Sequence, residues 1–234
     1  MSTPRLAYHR TEGAGPPVVF LPGYASDMTG SKALALEAWA KETGRAFVRF
    51  DYRGCGQSEG EFAVATLADW RDDSRAILEQ LTDAPAILVG SSMGGWIALL
   101  LALALPERVA GLVLVAPAPD FTDWGFSQAE KMALLQHGRV ERPSPYGPEP
   151  TLFTRAFWSS GEANRLPPGP VAIGKPVRIL QGQQDSDVTW TRSLDLLQRL
   201  GSADVHLTLV KDGDHRLSRE ADLRLLVQAI QSLC

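Results

Sequence analysis

Short apolar runs, most of them followed by a helical pattern, recur along this chain, and that alternation constrains its fold more than any other feature. The runs "PVVFLPG" at 17–23, "AFVRFDY" at 46–52, "AILVG" at 86–90, "AGLVLVA" at 110–116, "KPVRILQG" at 175–182 and "VHLTLV" at 205–210 have strand length and are rich in β-branched residues. Helical periodicity is seen near 29–43, 66–82, 93–105, 189–200 and 218–232. Strands that are apolar along their whole length must be covered on both faces. The pattern therefore predicts an α/β fold, a mostly parallel sheet with helices on both sides. With 234 residues, 44% of them hydrophobic and 21% charged, the chain can bury one sizeable core, so a single domain over 1–234 is expected.

Residues 118–172 break the rhythm. They hold eight of the sixteen prolines (119, 143, 145, 148, 150, 167, 168 and 170) and only scattered helical patches. They also carry Phe121, Trp124, Phe126, Phe153, Phe157 and Trp158, too many large apolar groups for a solvated tether. The segment reads as a cap, or lid, inserted over the sheet. Its aromatics suit an apolar acyl chain or aromatic acid, with Trp124, Phe153 and Trp158 as candidate substrate contacts. Its charges nearly balance and select no anionic substrate.

A net charge of -4 and the lack of any Lys/Arg run give no footprint for nucleic acid. The start "MSTPRLAYHRTEG" contains no apolar signal core, and the most apolar helix candidate, 96–105, falls well short of the roughly 20 residues a bilayer span needs. A soluble, cytoplasmic protein is expected. Cys55 and Cys234 have no metal-ligand spacing and read as free thiols, and no metal site is predicted.

The stretch "LVGSSMGGWIAL" at 88–99 asks why a core segment pauses for two serines among glycines. A strand that ends in Gly-x-Ser-x-Gly and turns at once into a helix is a nucleophile elbow. In Gly90-Ser91-Ser92-Met93-Gly94 the central residue is Ser92, not Ser91. On so tight a turn, a side chain two residues to either side would strike the neighbouring strand or helix. Ser92 would sit at a helix N-terminus, where unpaired N–H groups favour a developing negative charge.

A neutral serine needs a base, and the chain has four histidines. His9 lies in the N-terminal segment, His137 in the cap and His206 within a strand pattern. His215, in the loop "KDGDHRLS" after the last strand, fits the chain order serine, acid, histidine. The acid should follow the strand between them. "QGQQDSDV" offers Asp185 and Asp187, of which Asp185 lies on the first turn after the strand while Asp187 could merely cap the next helix. Asp212 and Asp214 are too close to His215 in sequence and read as loop-shaping residues. The backbone N–H groups of Met93 and of Tyr24, in "FLPGYASD", are candidates for an oxyanion hole. Cys55 lies in the tight glycine loop "DYRGCGQSEG" and reads as structural. Arg53 and the Arg71-Asp72-Asp73 cluster read as surface or loop-bracing charges.

With these elements in place, the chain resembles the α/β-hydrolase family over nearly its whole length. The runs "FLPGYASDMTGSKALALEAWA", "RFDYRGCGQSEG", "GSSMGGW" and "DHR", in that order, resemble its palmitoyl-protein thioesterase branch, which is also known for esterase action on an acyl glucuronide. The resemblance implies a serine hydrolase of esters or thioesters with Ser92, Asp185 and His215 in the triad positions. The chain departs from the branch in two respects: no Arg- and Ser-rich transit segment precedes the domain, and the cap matches poorly. Pro22 stands where many members of the wider family have histidine, a Pro-Gly form that the thioesterase branch shares. The expected partners are a small-molecule ester or thioester or an acylated protein, and the chemistry requires no cofactor. Two alternatives stand beside it: a non-catalytic binding protein on a hydrolase scaffold, and a perhydrolase or carbon–carbon bond hydrolase that uses the same three residues.

Overall fold

The computed structural model describes residues 4–144 and 147–234, so residues 145 and 146 of the expected cap lie outside the described residues. Seven strands form one sheet: β1 (Tyr8–Thr11), β2 (Ala14–Leu21), β3 (Arg45–Phe50), β4 (Ala86–Ser91), β5 (Val109–Val115), β8 (Val177–Gly182) and β9 (Val205–Val210). Their spatial order is β1-β3-β2-β4-β5-β8-β9. Every pairing in this sheet is parallel except β1 with β3. A separate antiparallel hairpin, β6 (Arg139–Arg142) with β7 (Thr151–Thr154), lies in the 118–172 segment.

Alternate side chains of the inner strands enter different cores. Val18, Phe20, Ile87, Val89, Val113 and Val115 face α1 (Ser31–Thr43) and α8 (Glu220–Gln231), while Val19, Leu21, Leu88, Leu112 and Leu114 face α2 (Leu67–Leu81), α3 (Met93–Ala104) and α7 (Trp190–Arg199). This period of two, buried on both sides, makes the strands apolar throughout. Each fully buried Leu or Phe contributes roughly 1.5–3 kcal/mol relative to exposure.

The helices begin and end within two residues of the expected positions, fixed by local chemistry. Thr66 and Asp69 form a capping box at the start of α2, and Gly44, with φ 68°, closes α1 in the left-handed region. Strand ends differ where the chain leaves for a loop. The strand expected over 17–23 begins at Ala14 and stops at Leu21, and the one expected over 46–52 stops at Phe50. Beyond it, the buried Asp51 carboxylate accepts from the N–H groups of Met28 and Gln57 and draws the loops together. Strand β1 has no counterpart among the expected elements. It is four residues long and mostly exposed, and Tyr-His-Arg-Thr carries no apolar alternation.

Between β5 and β8 the chain forms α4 (Phe121–Trp124), α5 (Gln128–His137), the β6–β7 hairpin and α6 (Arg155–Ala163). The hairpin replaces part of what reads in sequence as scattered helix. Side chains attach this segment to the sheet domain. The Ala68 N–H donates to Ser160 Oγ (3.0 Å), Arg71 to Asn164 Oδ1 (2.7 Å), and the Tyr24 hydroxyl to the Leu152 carbonyl (2.6 Å).

Candidate active site

Strand β4 runs into α3 through Ser92, which holds φ 54° and ψ −117°, a conformation that costs about 1–3 kcal/mol unless its surroundings enforce it. They do so through the backbone. Ser92 N–H donates to Val115 O (2.9 Å), and its carbonyl accepts from Gly95 N (3.0 Å) and Ala118 N (3.1 Å). The glycines have a steric reason. A Cβ on Gly90 would lie 2.4 Å from Gly94 O, and one on Gly94 would lie 2.1 Å from Leu21 O.

The β8 end approaches the loop after β9 just as closely. A Cβ on Gly182 would sit 2.3 Å from Gly213 O, and Gln184 N donates to that same carbonyl at 2.9 Å. This contact brings together three side chains that are remote in sequence. His215 Nε2 lies 3.1 Å from Ser92 Oγ, and His215 Nδ1 lies 2.8 Å from Asp185 Oδ2. The other Asp185 oxygen accepts from the N–H groups of Asp187 (2.9 Å) and Val188 (2.8 Å). Burial pushes the Asp185 carboxyl upward, but the hydrogen bonds and charge of His215, with those of Val188 and Gln181, outweigh it and hold the group below its ordinary value. An ionised Asp185 requires the proton on Nδ1 of a neutral His215, which leaves Nε2 to accept from the Ser92 hydroxyl.

The backbone N–H of Asp187 braces the Asp185 carboxylate through Oδ1. Asp214 Oδ1 accepts from the N–H groups of Arg216 and Leu217 and so shapes the His215 loop, and Lys32 Nζ, reaching from α1, donates to Arg216 O. Asp185, Asp187 and His215 place three ligand atoms within 4.8 Å of one another, yet Asp185 already accepts from four donors, which leaves little of its carboxylate for a metal.

The N–H groups of Tyr24 and Met93 border Ser92 in sequence or space. Met93 is the first residue of α3, and a Cβ on Gly23, beside Tyr24, would lie 3.5 Å from Ser92 Cβ. The Tyr24 side chain does something the sequence left unread. It stacks on Phe153 with centroids 4.7 Å apart and planes at 11°, and it packs against Phe62, Trp70, Phe121 and Phe157. Phe153 is thus buried against the loop that carries Tyr24, whereas Trp124 and Trp158 spend their indole N–H groups on the Pro119 and Thr122 carbonyls.

Other expectations land elsewhere. His206 is exposed on the sheet edge, 3.4 Å from Asp204. Asp73 is not on the surface but buried, and of the two expected roles it takes the loop-bracing one: its carboxylate binds the Arg53 guanidinium (2.7 Å) and backbone N–H (2.8 Å). A buried acid paired across a loop looks in sequence like any charged helix residue. Cys55 and Cys234 are free, and burial, with Asp51 and Asp73 nearby, pushes the Cys55 thiol up to about 12.

A family model described as "Serine aminopeptidase, S33" matches residues 16–143. Sheet order, elbow and this match define the class: the chain belongs to the α/β-hydrolase family and is a hydrolase of its ester- and thioester-cleaving kind. Among its relatives, it is 41% identical to the mouse protein "Palmitoyl-protein thioesterase ABHD10, mitochondrial" over 98% of this chain and 79% of that one. The structure of mouse "Alpha/beta hydrolase domain-containing protein 10" superposes with a TM-score of 0.91 at 39% identity, covering 98% of this chain and 94% of that one. A crystal structure from Agrobacterium vitis S4 gives a TM-score of 0.93 at 43% identity, covering 98% and 93%.

These relatives correct the expected location. Relatives at about 40% identity are named as mitochondrial, so the cytoplasmic expectation does not stand. A receptor-read address lies outside the packing and catalytic patterns from which that expectation was drawn. No helix among the described residues is long and apolar enough to cross a membrane.

Proposed function

We propose that this chain cleaves acyl thioesters and carboxylic esters through an acyl-enzyme on Ser92, with His215 as general base and acid and Asp185 as its orienting carboxylate. One observation carries the reading: the continuous relay Ser92 Oγ, His215 Nε2, His215 Nδ1, Asp185 Oδ2, at 3.1 and 2.8 Å. Ser92 Oγ attacks the acyl carbon while its proton passes to His215 Nε2. The resulting oxyanion takes hydrogen bonds from the N–H groups of Met93 and Tyr24 at the positive end of α3. On collapse the bond to sulfur or oxygen breaks, and His215 Nε2 returns the proton to the leaving group. Water then repeats the sequence on the acyl-serine, with its proton going to His215 and on to Ser92.

In this reading the 118–172 segment is a cap over a single domain, and its aromatics shape the acyl site. Phe153 joins the loop of the proposed oxyanion donor through its stack on Tyr24, and Trp124 and Trp158 set the cap's form. The activity in the relatives' name, palmitoyl-protein thioesterase, supports a long apolar acyl group and an acylated protein among the substrates. The intact relay favours catalysis over a binding role on a hydrolase scaffold.

A fluorophosphonate probe should label Ser92 and no other residue. Ser92→Ala should abolish label and turnover while Ser91→Ala keeps most of both, and label mapped to Ser91 would sink the assignment. Across pH, kcat/KM for an activated ester should rise with the loss of a single proton, because only neutral imidazole can accept the serine proton. His215→Ala should remove this limb with nearly all turnover, whereas changes at His9, His137 or His206 should keep it.

A further inference from the structure

Gln181, the penultimate residue of β8, is completely buried and takes part in none of the proposed proton transfers. Its amide is nonetheless directed at the acid. Nε2 donates to Asp185 Oδ2 (2.9 Å), the oxygen that also faces His215 Nδ1, and to the carbonyls of Val188 (3.0 Å) and Gly182 (3.1 Å). Its Oε1 accepts from Ser193 Oγ (2.8 Å), a buried residue of α7. These partners fix which way the amide points. Turned over, it would press a carbonyl oxygen against a carboxylate and the Val188 carbonyl.

We propose that Gln181, anchored by Ser193, is a positioning residue that holds the rotation of the Asp185 carboxylate and moderates the negative charge it presents to His215. This rests on the reading of Asp185 and His215 as orienting acid and base. A carboxylate fastened only through Oδ1, by the Asp187 and Val188 N–H groups, could still swing Oδ2 away from Nδ1. The Gln181 amide closes that freedom. It also shares the charge on Oδ2, so its removal leaves a more basic oxygen facing the imidazole and favours imidazolium. The other charged groups around His215 are Asp187 from the loop after β8, Asp214 and Arg216 on its own loop, and Lys32 from α1 with Asp222 of α8 near that lysine. None of them changes in the variants below.

The test is Gln181→Met, similar in length but unable to donate, assayed on an activated ester with active sites counted by fluorophosphonate titration. We expect kcat per titrated site to fall about 10-fold with KM within about twofold, and the rising limb of the pH profile to move about half a pH unit higher than in the parent. Ser193→Ala, which removes only the anchor, should move both in the same direction by about a third as much, and it serves if Met at 181 does not fold. Wild-type kcat and limb per titrated site in the folded variant, whatever its melting temperature, would overturn the proposal and leave Asp185 in its role. A fully active Asp185→Asn would instead overturn the acid reading and carry this one with it.

Discussion

The carboxyl edge of the sheet and the 118–172 segment are built on different terms. At the edge, position is set by main chain against main chain: Gly90 on Gly94 O, Gly94 on Leu21 O, Gly182 on Gly213 O, each too close for a Cβ. In the segment, Gly138 and Gly147 face open space, Gly125 and Gly161 are enclosed only by residues of the segment itself (Phe121 O at 2.6 Å, the Thr122 side chain at 2.3 Å), and attachment to the sheet domain falls largely to side chains. These include the Tyr24–Phe153 stack and Arg192 over Trp124 at 4.0 Å, while Arg142, 4.5 Å from the Phe126 ring centroid and 2.8 Å from Glu130, ties the segment to itself. On the proposed function, the reacting groups are thus held mainly by main-chain contacts and the proposed acyl-binding surfaces mainly by side-chain contacts.

That contrast can be broken most directly at the acid. Asp185→Asn should lower kcat by on the order of 10⁴-fold with the fold intact, since the imidazole is left in the wrong tautomer, while Asp187→Asn stays mild. The reverse ranking in steady-state kinetics would move the acid two residues along. Next comes the edge itself. Gly94→Ala should cost about 2–3 kcal/mol in denaturant unfolding, because the Leu21 backbone must yield to the new Cβ. An Ala variant as stable as the parent would remove the claim of a backbone-locked site.

At the joint between the two regions, Tyr24→Phe should cost about 1–2 kcal/mol by stranding the Leu152 carbonyl. It should change KM for long acyl chains more than for acetyl, and equal effects across a chain-length series would separate the segment from substrate choice. The smallest effect belongs to the segment alone. Arg142, with Ser127 adding to it against partial burial, holds the Glu130 carboxyl down at about 2. A group depressed in this way stabilises the folded state above the ordinary carboxylate value of about 4.3 and loses its contribution as pH falls towards 2. Glu130→Gln should therefore cost less than about 1 kcal/mol at neutral pH and nothing near pH 2, read as a shift in melting temperature.

What the sequence made legible follows the same division. Elements buried on both faces declare themselves as continuous apolar runs, and Ser92, Asp185 and His215 follow from a turn motif and chain order. β1 and the β6–β7 hairpin did not, because four-residue strands with exposed Tyr8, His9 and Arg139 carry no periodic signal. Gln181 and the Tyr24 hydroxyl were silent for another reason. A glutamine in an apolar run and a tyrosine in a loop acquire meaning only from partners that tertiary structure supplies, here Asp185 with Ser193 and the Leu152 carbonyl.

The relay spans 123 residues between Ser92 and His215, and 30 between His215 and Asp185. Its members meet only after β4, β8 and β9 have paired through β5, a parallel assembly whose distant partners must pay loop-closure entropy before any contact rewards it. Catalytic competence is therefore a late event in the life of the chain. During refolding from denaturant, helical signal should return well before esterase activity, which serves as a clock for the docking of the final strand.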